Sequence, residues 1–366
     1  MLFNLNIMPF DLKQYFEETD KLYSPFYKKL EEIEALLVTN KDKKVYVCYH
    51  ADDVSDVSVS YCMDGLASAT LFNFMNKNKN TEYIPLAHRM KDKWIEKNVK
   101  DNSIVVFLDI FVSDIIHEEI LRKKNCTVIV LDHHPINVNY SYDLMLLLSN
   151  IDIGISGLLL SYISRKKVLT KKIAILMANI ALADMWNTDP KYGVLTVTPL
   201  KVSLAIREKL ALIPNVKSSN FISFLEIHIT RQYLKTSIPK ITQDIDTAWD
   251  AFMTLPKKTC TVDEWTFIVV TPSAAITKVM MKLAEFKSKN IPVKHIPLNT
   301  HIMFLSQVKV IFSEEGIRSM FPASIRFHGN KEDAKCNEIA KLFGGNGHPV
   351  AAGCSIQLDR LKLETC

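Results

Sequence analysis

Acidic and histidine side chains follow several apolar segments that have the length and composition of buried β-strands. The segments VYVCYH, SIVVFLDIF and CTVIVLDHH each carry such residues at or just after their carboxyl ends. These residues are His50, Asp52, Asp109, Asp132, His133 and His134. An open parallel sheet binds its ligands outside the carboxyl ends of its strands. The pattern therefore predicts that these side chains meet at one edge of a sheet.

Two further aspartates belong to predicted helices. Asp64 opens the helix that follows the first strand. Asp184 shares a helical face with the apolar residues Met177 and Ala181, which places its carboxylate toward the core. A buried carboxylate is costly unless a cation or a hydrogen-bond donor meets it. Both aspartates are therefore candidates for the same cation-binding edge.

We expect six of these side chains to bind divalent metal ions. Four carboxylates at one sheet edge would repel one another strongly unless cations neutralised them. Carboxylates with some imidazole suit Mn²⁺ or Mg²⁺ better than structural zinc, and two metals bridged by one carboxylate recur in enzymes that attack phosphorus. The predicted ligands are His50, Asp52, Asp64, Asp109, His133 and Asp184. This set indicates a dinuclear hydrolase.

Several of these residues also have a purely structural interpretation. A single aspartate at a strand end is usually a turn or helix-cap residue, which would account for Asp109. Asp184 would equally cap a helix or pair with a base, and His50 would be a core histidine. The adjacent pair His133 and His134, directly after a buried strand and an aspartate, is harder to explain in this way.

A glycine-rich segment near the carboxyl end predicts an anion site. LFGGNGHPVAAG holds four of the ten glycines of the chain. Glycines let backbone N–H groups approach a phosphate closely, and a histidine adds a donor, although a helix C-cap would explain Gly344 alone. Arg326 would clamp the same phosphate or be an ordinary surface arginine. The predicted substrate-binding residues are Arg326, Gly344, Gly345, Asn346, Gly347 and His348.

The strands and helices that position these residues alternate along the first half of the chain. Apolar, β-branched segments separated by helices predict an α/β fold, with a parallel sheet and helices on both faces. An amphipathic helix interrupted at Pro25 precedes the sheet. A mostly helical stretch follows it, and strand and helix alternation then resumes. The predicted divisions are a metal-binding domain at 1–195, a helical connector at 196–258 and a smaller α/β domain at 259–366.

The composition limits the class of protein. The 366 residues are 48% hydrophobic and 23% charged, which is typical of a soluble protein with two cored domains. A net charge of +5 is too small to identify a polyanionic partner, and the seven cysteines contain no CxxC pair. The chain has neither a basic, apolar leader nor an uncharged apolar stretch of about 18 residues. We therefore expect a cytoplasmic protein without a membrane span.

Five motifs in order resemble those of the DHH phosphoesterase superfamily, the group that contains RecJ-like exonucleases and NrnA-like oligoribonucleases. YHAD with CMDGLASA is similar to the first motif, FLDI to the second, LDHHP to the third and ALADMW to the fourth. FGGNGHPVAAG is similar to the GGGH signature of the DHH-associated C-terminal domain. The resemblance covers about residues 44–190 and 260–360, and it implies an active site in a cleft between two domains.

The resemblance also implies a role for each residue. Two divalent ions, Mn²⁺ or alternatively Mg²⁺, would share the bridging ligand Asp109. One ion would have the ligands His50, Asp52 and Asp109, and the other Asp64, Asp109, His133 and Asp184. Asp132 would orient a ligand histidine, and His134 would contact the scissile phosphate or assist the leaving group. Arg326, the glycine segment and His348 would bind the substrate.

Two departures from the family pattern concern these sites. In relatives the first motif is compact, of the form HxDCxDG, whereas nine residues, 53–61, separate Asp52 from Cys62 here. The insertion either loops out as a hairpin, since VSDVSVS alternates like a strand, or distorts the first metal site. Asn346 stands where a third glycine is usual, and asparagine tolerates positive φ.

These observations predict a metal-dependent phosphodiesterase acting by metal-activated hydroxide attack on phosphorus. The expected substrates are short oligonucleotides, single-stranded nucleic acid ends or dinucleotides, because the chain has no basic arm or strongly basic stripe for long duplexes. One alternative is cleavage of pyrophosphate or polyphosphate. The other is a catalytically inactive protein of the same fold that only binds a ligand. A homodimer is also left open.

Overall fold

The computed structural model describes most of the chain and divides it into two compact units. The described residues are 10–54, 59–88, 90–111, 116–134, 142–148, 153–166, 169–186, 190–192, 198–213, 216–262, 265–270, 275–289, 291–305, 309–313, 316–329, 333–348 and 351–357. The first unit is Met1–Pro239 and the second is Lys240–Cys366. Their boundary falls inside the segment that we predict to be a helical connector.

The first unit contains the predicted parallel sheet. Its strands are β1 (Val45–Val54), β2 (Val59–Tyr61), β3 (Thr81–Leu86), β4 (Ile104–Leu108), β5 (Thr127–Asp132) and β6 (Leu144–Leu147). β3, β1, β4, β5 and β6 lie side by side and all run parallel, while β2 pairs antiparallel with the end of β1. All five residues of β4 are buried, as expected for a central strand covered on both faces. The α/β fold class is confirmed.

Helices surround this sheet and continue beyond it. They are α1 (Leu12–Thr39), α2 (Met63–Met75), α3 (Lys91–Asn98), α4 (Ile155–Lys166), α5 (Lys171–Asp184), α6 (Thr198–Ala211), α7 (Phe221–His228) and α8 (Arg231–Thr254), with a π-helical turn at His117–Leu121 and a 3₁₀ turn at Pro190–Tyr192. Residues 173–183 of α5 are all buried, so this helix is part of the core rather than a surface helix. Within the described residues, none of the helices combines the length and the apolar character needed to cross a bilayer.

The predicted interruption at Pro25 is wrong. α1 continues through Pro25 and buries Tyr23, Tyr27 and Leu30 on one face. A proline removes one backbone hydrogen bond, and the packing of the apolar face on both sides of it keeps the helix in one piece. The carboxylate of Asp11 caps the start of the helix by accepting from the backbone N–H groups of Lys13 and Gln14 at 3.0 Å.

The second unit contains a mostly antiparallel sheet. Its strands are β7 (Lys257–Val262), β8 (Trp265–Val270), β9 (Thr300–Leu305), β10 (Lys309–Ser313), β11 (Gly316–His328), β12 (Asn346–His348) and β13 (Ala351–Gln357), and its helices are α9 (Ile276–Ser288) and α10 (Cys336–Leu342). The strand order is β12, β13, β11, β9, β8, β7, with β10 against β11. Among the described strands of this second sheet, only β8 and β9 pair in parallel. The hydrophobic core of the second unit includes Ile325, Met303 and Ile339.

A candidate metal centre at the carboxyl ends of three strands

The carboxyl ends of β1, β4 and β5 bring the predicted site residues together. The parallel register places Tyr49 opposite Leu108 and Leu108 opposite Leu131. The next residues of the three strands are therefore His50, Asp109 and Asp132, side by side at one edge of the sheet. His133 and His134 follow Asp132 directly. Parallel strands end at the same edge of a sheet, where ligands bind, and this brings together residues that are distant in sequence.

Asp109 is the centre of the group. Its Oδ1 lies 2.9 Å from His133 Nε2, and its Oδ2 lies 3.3 Å from His50 Nδ1. The Cys62 thiol donates to the same Oδ2 at 3.2 Å. Each carboxylate oxygen of this buried aspartate thus faces a different set of donors, which is the arrangement required of a ligand shared by two cations.

The backbone at Asp109 has a left-handed conformation, with φ of 59°. Non-glycine residues rarely adopt this conformation, and aspartate is among those that tolerate it best. Local strain of this kind persists only where the surrounding structure imposes it, and it clusters at functional sites. Here it turns the chain sharply after β4 while the carboxylate stays between His50 and His133.

Asp184 and Asp64 complete the group on the side of His133. Asp184 Oδ2, at the end of α5, lies 3.3 Å from His133 Nε2. Asp64, His133 and Asp184 offer ligand atoms that lie within 4.8 Å of one another, and so do Asp109, Asp132, His133 and His134. The prediction that α5 directs Asp184 inward is consistent with this position.

Asp64 also has a structural role that the sequence did not reveal. Its carboxylate accepts hydrogen bonds from the backbone N–H groups of Ile155 at 2.9 Å and Ser156 at 3.1 Å, and from the Ser156 hydroxyl. It therefore caps the start of α4, 91 residues later in the chain. A β-carbon at Gly154 would lie 2.3 Å from Asp64 Oδ1, so glycine is required for this close approach.

Asp52 is the one predicted ligand that lies away from the group. It forms an ion pair with Arg207 of α6, and its side chain is 38% exposed. The pairing of β1 with β2 shifts register between Ala51 and Asp53, so Asp52 lies at a β-bulge. The residues after Asp52 thus form a hairpin, β1–β2, and Asp64 still opens α2. The hairpin interpretation also kept Asp52 in place, and in that part it is not met, because Asp52 pairs with Arg207. Residues 55–58 lie outside the described part.

The charges in the group are strongly coupled. Burial alone would lower the pKa of His133, but its hydrogen bond to Asp109 and the charges of Asp184 and Asp109 raise that pKa to about 10. Burial and the nearby charges of Asp109 and Asp184 raise the pKa of Asp64 to about 8. Although burial opposes it, the hydrogen bonds to His133 and His50 hold the pKa of Asp109 well below its ordinary value. Protons on the imidazoles thus neutralise carboxylates that a cation would neutralise instead.

Asp132 fixes the geometry of the two adjacent histidines. Its Oδ1 accepts from the backbone N–H groups of His133 at 2.7 Å and His134 at 3.0 Å, and lies 2.6 Å from His134 Nδ1. Its Oδ2 is buried and has no hydrogen-bond partner among the described residues. A buried carboxylate oxygen without a donor, among imidazoles and further carboxylates, fits a site for divalent cations.

Two side chains near the group were missed by the sequence analysis. The His88 ring lies 4.6 Å from the His50 ring and 6.4 Å from the His134 ring, measured between centroids. It follows β3, whose Leu86 pairs with His50, so the strand-end rule would have found it. Cys62 lies beside Asp109 and precedes α2. The motif form HxDCxDG contains this cysteine, but its spacing and residue type did not predict a contact with Asp109.

The predicted substrate-binding residues lie in the second unit. The Arg326 guanidinium, on β11, donates to the carbonyl of Ile325 at 3.1 Å, and burial lowers its pKa. The backbone N–H groups of Gly344 and Gly345 donate to carbonyls of α10, so the helix-cap interpretation of Gly344 is supported. Gly347 has φ of 151° in β12. The side chains of Asn346 and His348 lie outside the description, and phosphate binding by this segment stays a prediction.

A groove in the second unit does not coincide with these residues. Its volume is about 740 Å³, and its described lining includes Lys257, Thr259, Thr266, His295 and Asn299. None of the predicted substrate-binding residues is among that described lining. We therefore do not assign the substrate to this groove.

Comparisons with known proteins show similarity in structure. No protein-family model and no curated protein matches the sequence. The RecJ of Thermus thermophilus in complex with Mn²⁺ is 12% identical, with a TM-score of 0.49, over 92% of this chain and 53% of that chain. A second exonuclease RecJ bound to manganese is 12% identical, with a TM-score of 0.46, over 92% and 94% of the two chains. The pGpG-specific phosphodiesterase PggH from Vibrio cholerae is 12% identical, with a TM-score of 0.42, over 87% and 94%.

These similarities concern the fold alone. This chain spans about half the length of the Thermus protein, 53% of it, and the identities are equally low throughout. What the site can do follows from its own side chains.

Proposed function

We propose that this chain is a divalent-metal-dependent phosphodiesterase that hydrolyses short oligonucleotides, single-stranded nucleic acid ends or dinucleotides. One observation carries the proposal: Asp109 is buried, and its two carboxylate oxygens face separate donors, His133 on one side and His50 on the other. A carboxylate in this position suits a bridging ligand between two cations. When bound, such cations neutralise phosphate charge and make water nucleophilic near neutral pH.

The residues divide the work of holding the cations. Asp109 would bridge two positions, one beside His50 and the other beside His133 and Asp184. Asp64 would contribute to the second position while it caps α4. Among oxygen and nitrogen ligands of this kind Mn²⁺ and Mg²⁺ are favoured, and we expect Mn²⁺ to be the more effective because imidazole belongs to the set.

His134 is our candidate for contact with the scissile phosphate. Asp132 holds its Nδ1 at 2.6 Å, which fixes the orientation of the ring at the edge of the metal group. Although burial opposes it, the charge of Asp132 raises the pKa of His134, so the ring carries a proton more readily than an ordinary histidine. A protonated imidazole held in this way would stabilise the charge that develops on the phosphate or the leaving oxygen.

The second unit would supply substrate recognition. Arg326, the glycine segment and His348 are the groups that we propose to bind a terminal phosphate or nucleotide. This part of the proposal rests on the sequence motif and on the backbone of residues 344–348. It favours short substrates, because Arg326 is the only permanently charged side chain among these groups.

The test is hydrolysis of end-labelled dinucleotides, longer single strands and pyrophosphate, each with Mn²⁺, Mg²⁺ or chelator. We expect cleavage of the short oligonucleotides with Mn²⁺ and none with chelator. Alanine in place of Asp109 or His133 should lower turnover by at least about 100-fold while the fold is retained, because each change removes a cation ligand. The exposed variant Asp101→Asn is the matched control and should keep full activity. Near-normal turnover of His133→Ala would overturn the site assignment.

A second candidate function is ligand binding without catalysis, and the position of Asp52 favours it. With Asp52 paired to Arg207, one predicted ligand is missing from the first cation position. Thermal stabilisation by Mn²⁺ without any cleavage of the nucleotide substrates would support this alternative, because binding to the folded state alone raises its stability. Cleavage of pyrophosphate in preference to dinucleotides would instead support a pyrophosphatase.

A further inference from the structure

The cation position beside His50 lacks one of its predicted ligands and has an unexpected sulfur close to it. Asp52, the ligand expected from the sequence, pairs with Arg207 at the bulge in β1. It belongs to none of the groups of described residues whose ligand atoms converge. To bind a cation beside Asp109 it would have to leave a guanidinium partner and move out of the hairpin.

Cys62 lies beside Asp109 on the same side as His50. Its Sγ lies 3.2 Å from Asp109 Oδ2, and His50 Nδ1 lies 3.3 Å from the same oxygen. The three ligand atoms, sulfur, nitrogen and oxygen, all lie within 4.8 Å of one another. Ligands about 2.0–2.3 Å from a tetrahedral ion are separated by roughly 3–4 Å, so the observed spacing needs little adjustment to accept one.

The start of α2 holds Cys62 in this position. Cys62 is the N-cap residue of α2, and its side chain makes no capping hydrogen bond. The helix presses directly on β1, because a β-carbon at Gly65 would lie 2.3 Å from the carbonyl oxygen of His50. The cysteine is only 9% exposed, and two residues further on Asp64 joins the second cation position. One helical turn thus places a thiol at one position and a carboxylate at the other.

We infer that Cys62, and not Asp52, is the third protein ligand of the cation position formed by His50 and Asp109, and that this position selects Zn²⁺ or Co²⁺ over Mg²⁺. The inference rests on the proposed metal centre. Thiolate is a soft ligand that favours zinc-like ions, whereas carboxylates and water suit magnesium. The cation displaces the thiol proton when it binds. The two positions of the centre therefore differ in chemistry, one with sulfur and one with oxygen and nitrogen ligands only.

Cobalt titration of the full-length chain tests the inference without any substrate. Co²⁺ bound to a thiolate gives a charge-transfer band in the near ultraviolet, in addition to the visible bands of any Co²⁺ site. We expect this band in the native chain and in the matched controls Asp52→Asn and Cys126→Ser. We expect Cys62→Ser to lose it and to bind Zn²⁺ at least about tenfold more weakly, with Mg²⁺ binding unchanged.

The outcomes separate this inference from the proposed function. Visible Co²⁺ bands without a charge-transfer band in the native chain, or the band persisting in Cys62→Ser, would overturn the role of Cys62 and leave the metal centre intact. Absence of any Co²⁺, Zn²⁺ or Mn²⁺ binding would overturn both. If Cys62→Ser does not fold, X-ray absorption at the zinc edge of the native chain decides: one sulfur neighbour supports the inference, and only nitrogen and oxygen neighbours contradict it.

Discussion

At the scale of single residues, the site is defined by how Asp109 is held. Its backbone is left-handed, and its two carboxylate oxygens contact His50 at the end of β1 and His133 after β5. Asp109, which follows β4, therefore links side chains from the ends of all three strands. Several titratable groups around it have a pKa displaced in the direction that places protons on imidazoles beside carboxylates. Without a cation, the side chains around Asp109 thus bind protons, which are released when a cation binds.

This proton storage predicts how the stability of the metal-free chain depends on pH. The pKa of His133 is about 10 in the folded chain, against an ordinary value of 6.5, and that of Asp64 is about 8, against 3.8. Both are raised, so the folded chain binds more protons than the unfolded chain over this range. Their contribution to the stability of the folded chain is fully present below the ordinary pKa values. It is lost as pH rises through the folded-chain pKa values of about 8 for Asp64 and about 10 for His133.

Thermal unfolding in chelator should therefore show a Tm that falls from about pH 6.5 toward pH 10. Saturating Mn²⁺ should flatten this fall, because the cation replaces the protons. The exposed variant Asp101→Asn should keep the same slope, and His133→Gln should reduce it. A Tm in chelator that is constant or rises over this range would show that the group does not hold the protons assigned to it.

At the scale of elements, close backbone contacts position the ligands. α2 lies against β1 at Gly65, and the start of α4 lies against Asp64 at Gly154. Gly65 and Gly154 are not among the described glycines with a positive φ. Each is therefore required because a β-carbon would not fit, and not because of its backbone conformation. α2 thus lies close enough to the end of β1 for Cys62 and Asp64 to reach the metal group, and the start of α4 packs against the Asp64 side chain.

Gly65→Ala should consequently disturb both fold and site. Its β-carbon would lie 2.3 Å from His50 O and 3.0 Å from His50 N, and backbone atoms cannot move aside cheaply. We expect a loss of roughly 1–3 kcal/mol in the free energy of unfolding, together with weaker Mn²⁺ binding, because α2 would shift away from β1. Urea denaturation and metal titration measure the two effects.

Gly353→Ala is the matched control for this change. A β-carbon at Gly353 would have its nearest neighbour, the carbonyl oxygen of Ala323, at 3.8 Å, which is an ordinary contact. Its stability and Mn²⁺ affinity should stay close to those of the native chain. Equal losses in the two variants would mean that the contact of α2 with β1 is not what positions the ligands.

At the scale of the whole molecule, the two units carry different tasks in the proposed function. The first unit, Met1–Pro239, contains all of the predicted metal ligands, and the second, Lys240–Cys366, contains all of the predicted substrate-binding residues. Changes in the second unit should therefore alter substrate capture and leave cation binding unchanged.

His348→Ala tests this division. We expect KM for a dinucleotide to rise roughly tenfold, since one hydrogen bond to a charged phosphate is lost, while kcat and Mn²⁺ affinity change little. The exposed histidine His295 of the same unit provides the control, and His295→Ala should leave KM unchanged. A fall in kcat with constant KM in His348→Ala would place His348 in the chemical step instead.

The sequence by itself determined the parallel sheet, its strand ends and most of the residues that meet there. It could do so because buried strands are β-branched and apolar over their own length, and because parallel neighbours end at the same edge. His50, Asp109, Asp132, His133 and His134 were identified in this way, and Asp184 from the periodicity of its helix. The α/β architecture of both units follows from the same local patterns.

Only the tertiary structure decided what the remaining side chains contact. Asp52 pairs with Arg207, 155 residues away, and Asp64 caps a helix that begins 91 residues later. Cys62 contacts Asp109, which is 47 residues away in the sequence. α1 continues through Pro25 because its apolar face is packed on both sides of the proline. Contacts between residues so far apart depend on how the elements pack, and no local pattern of polarity or spacing encodes them.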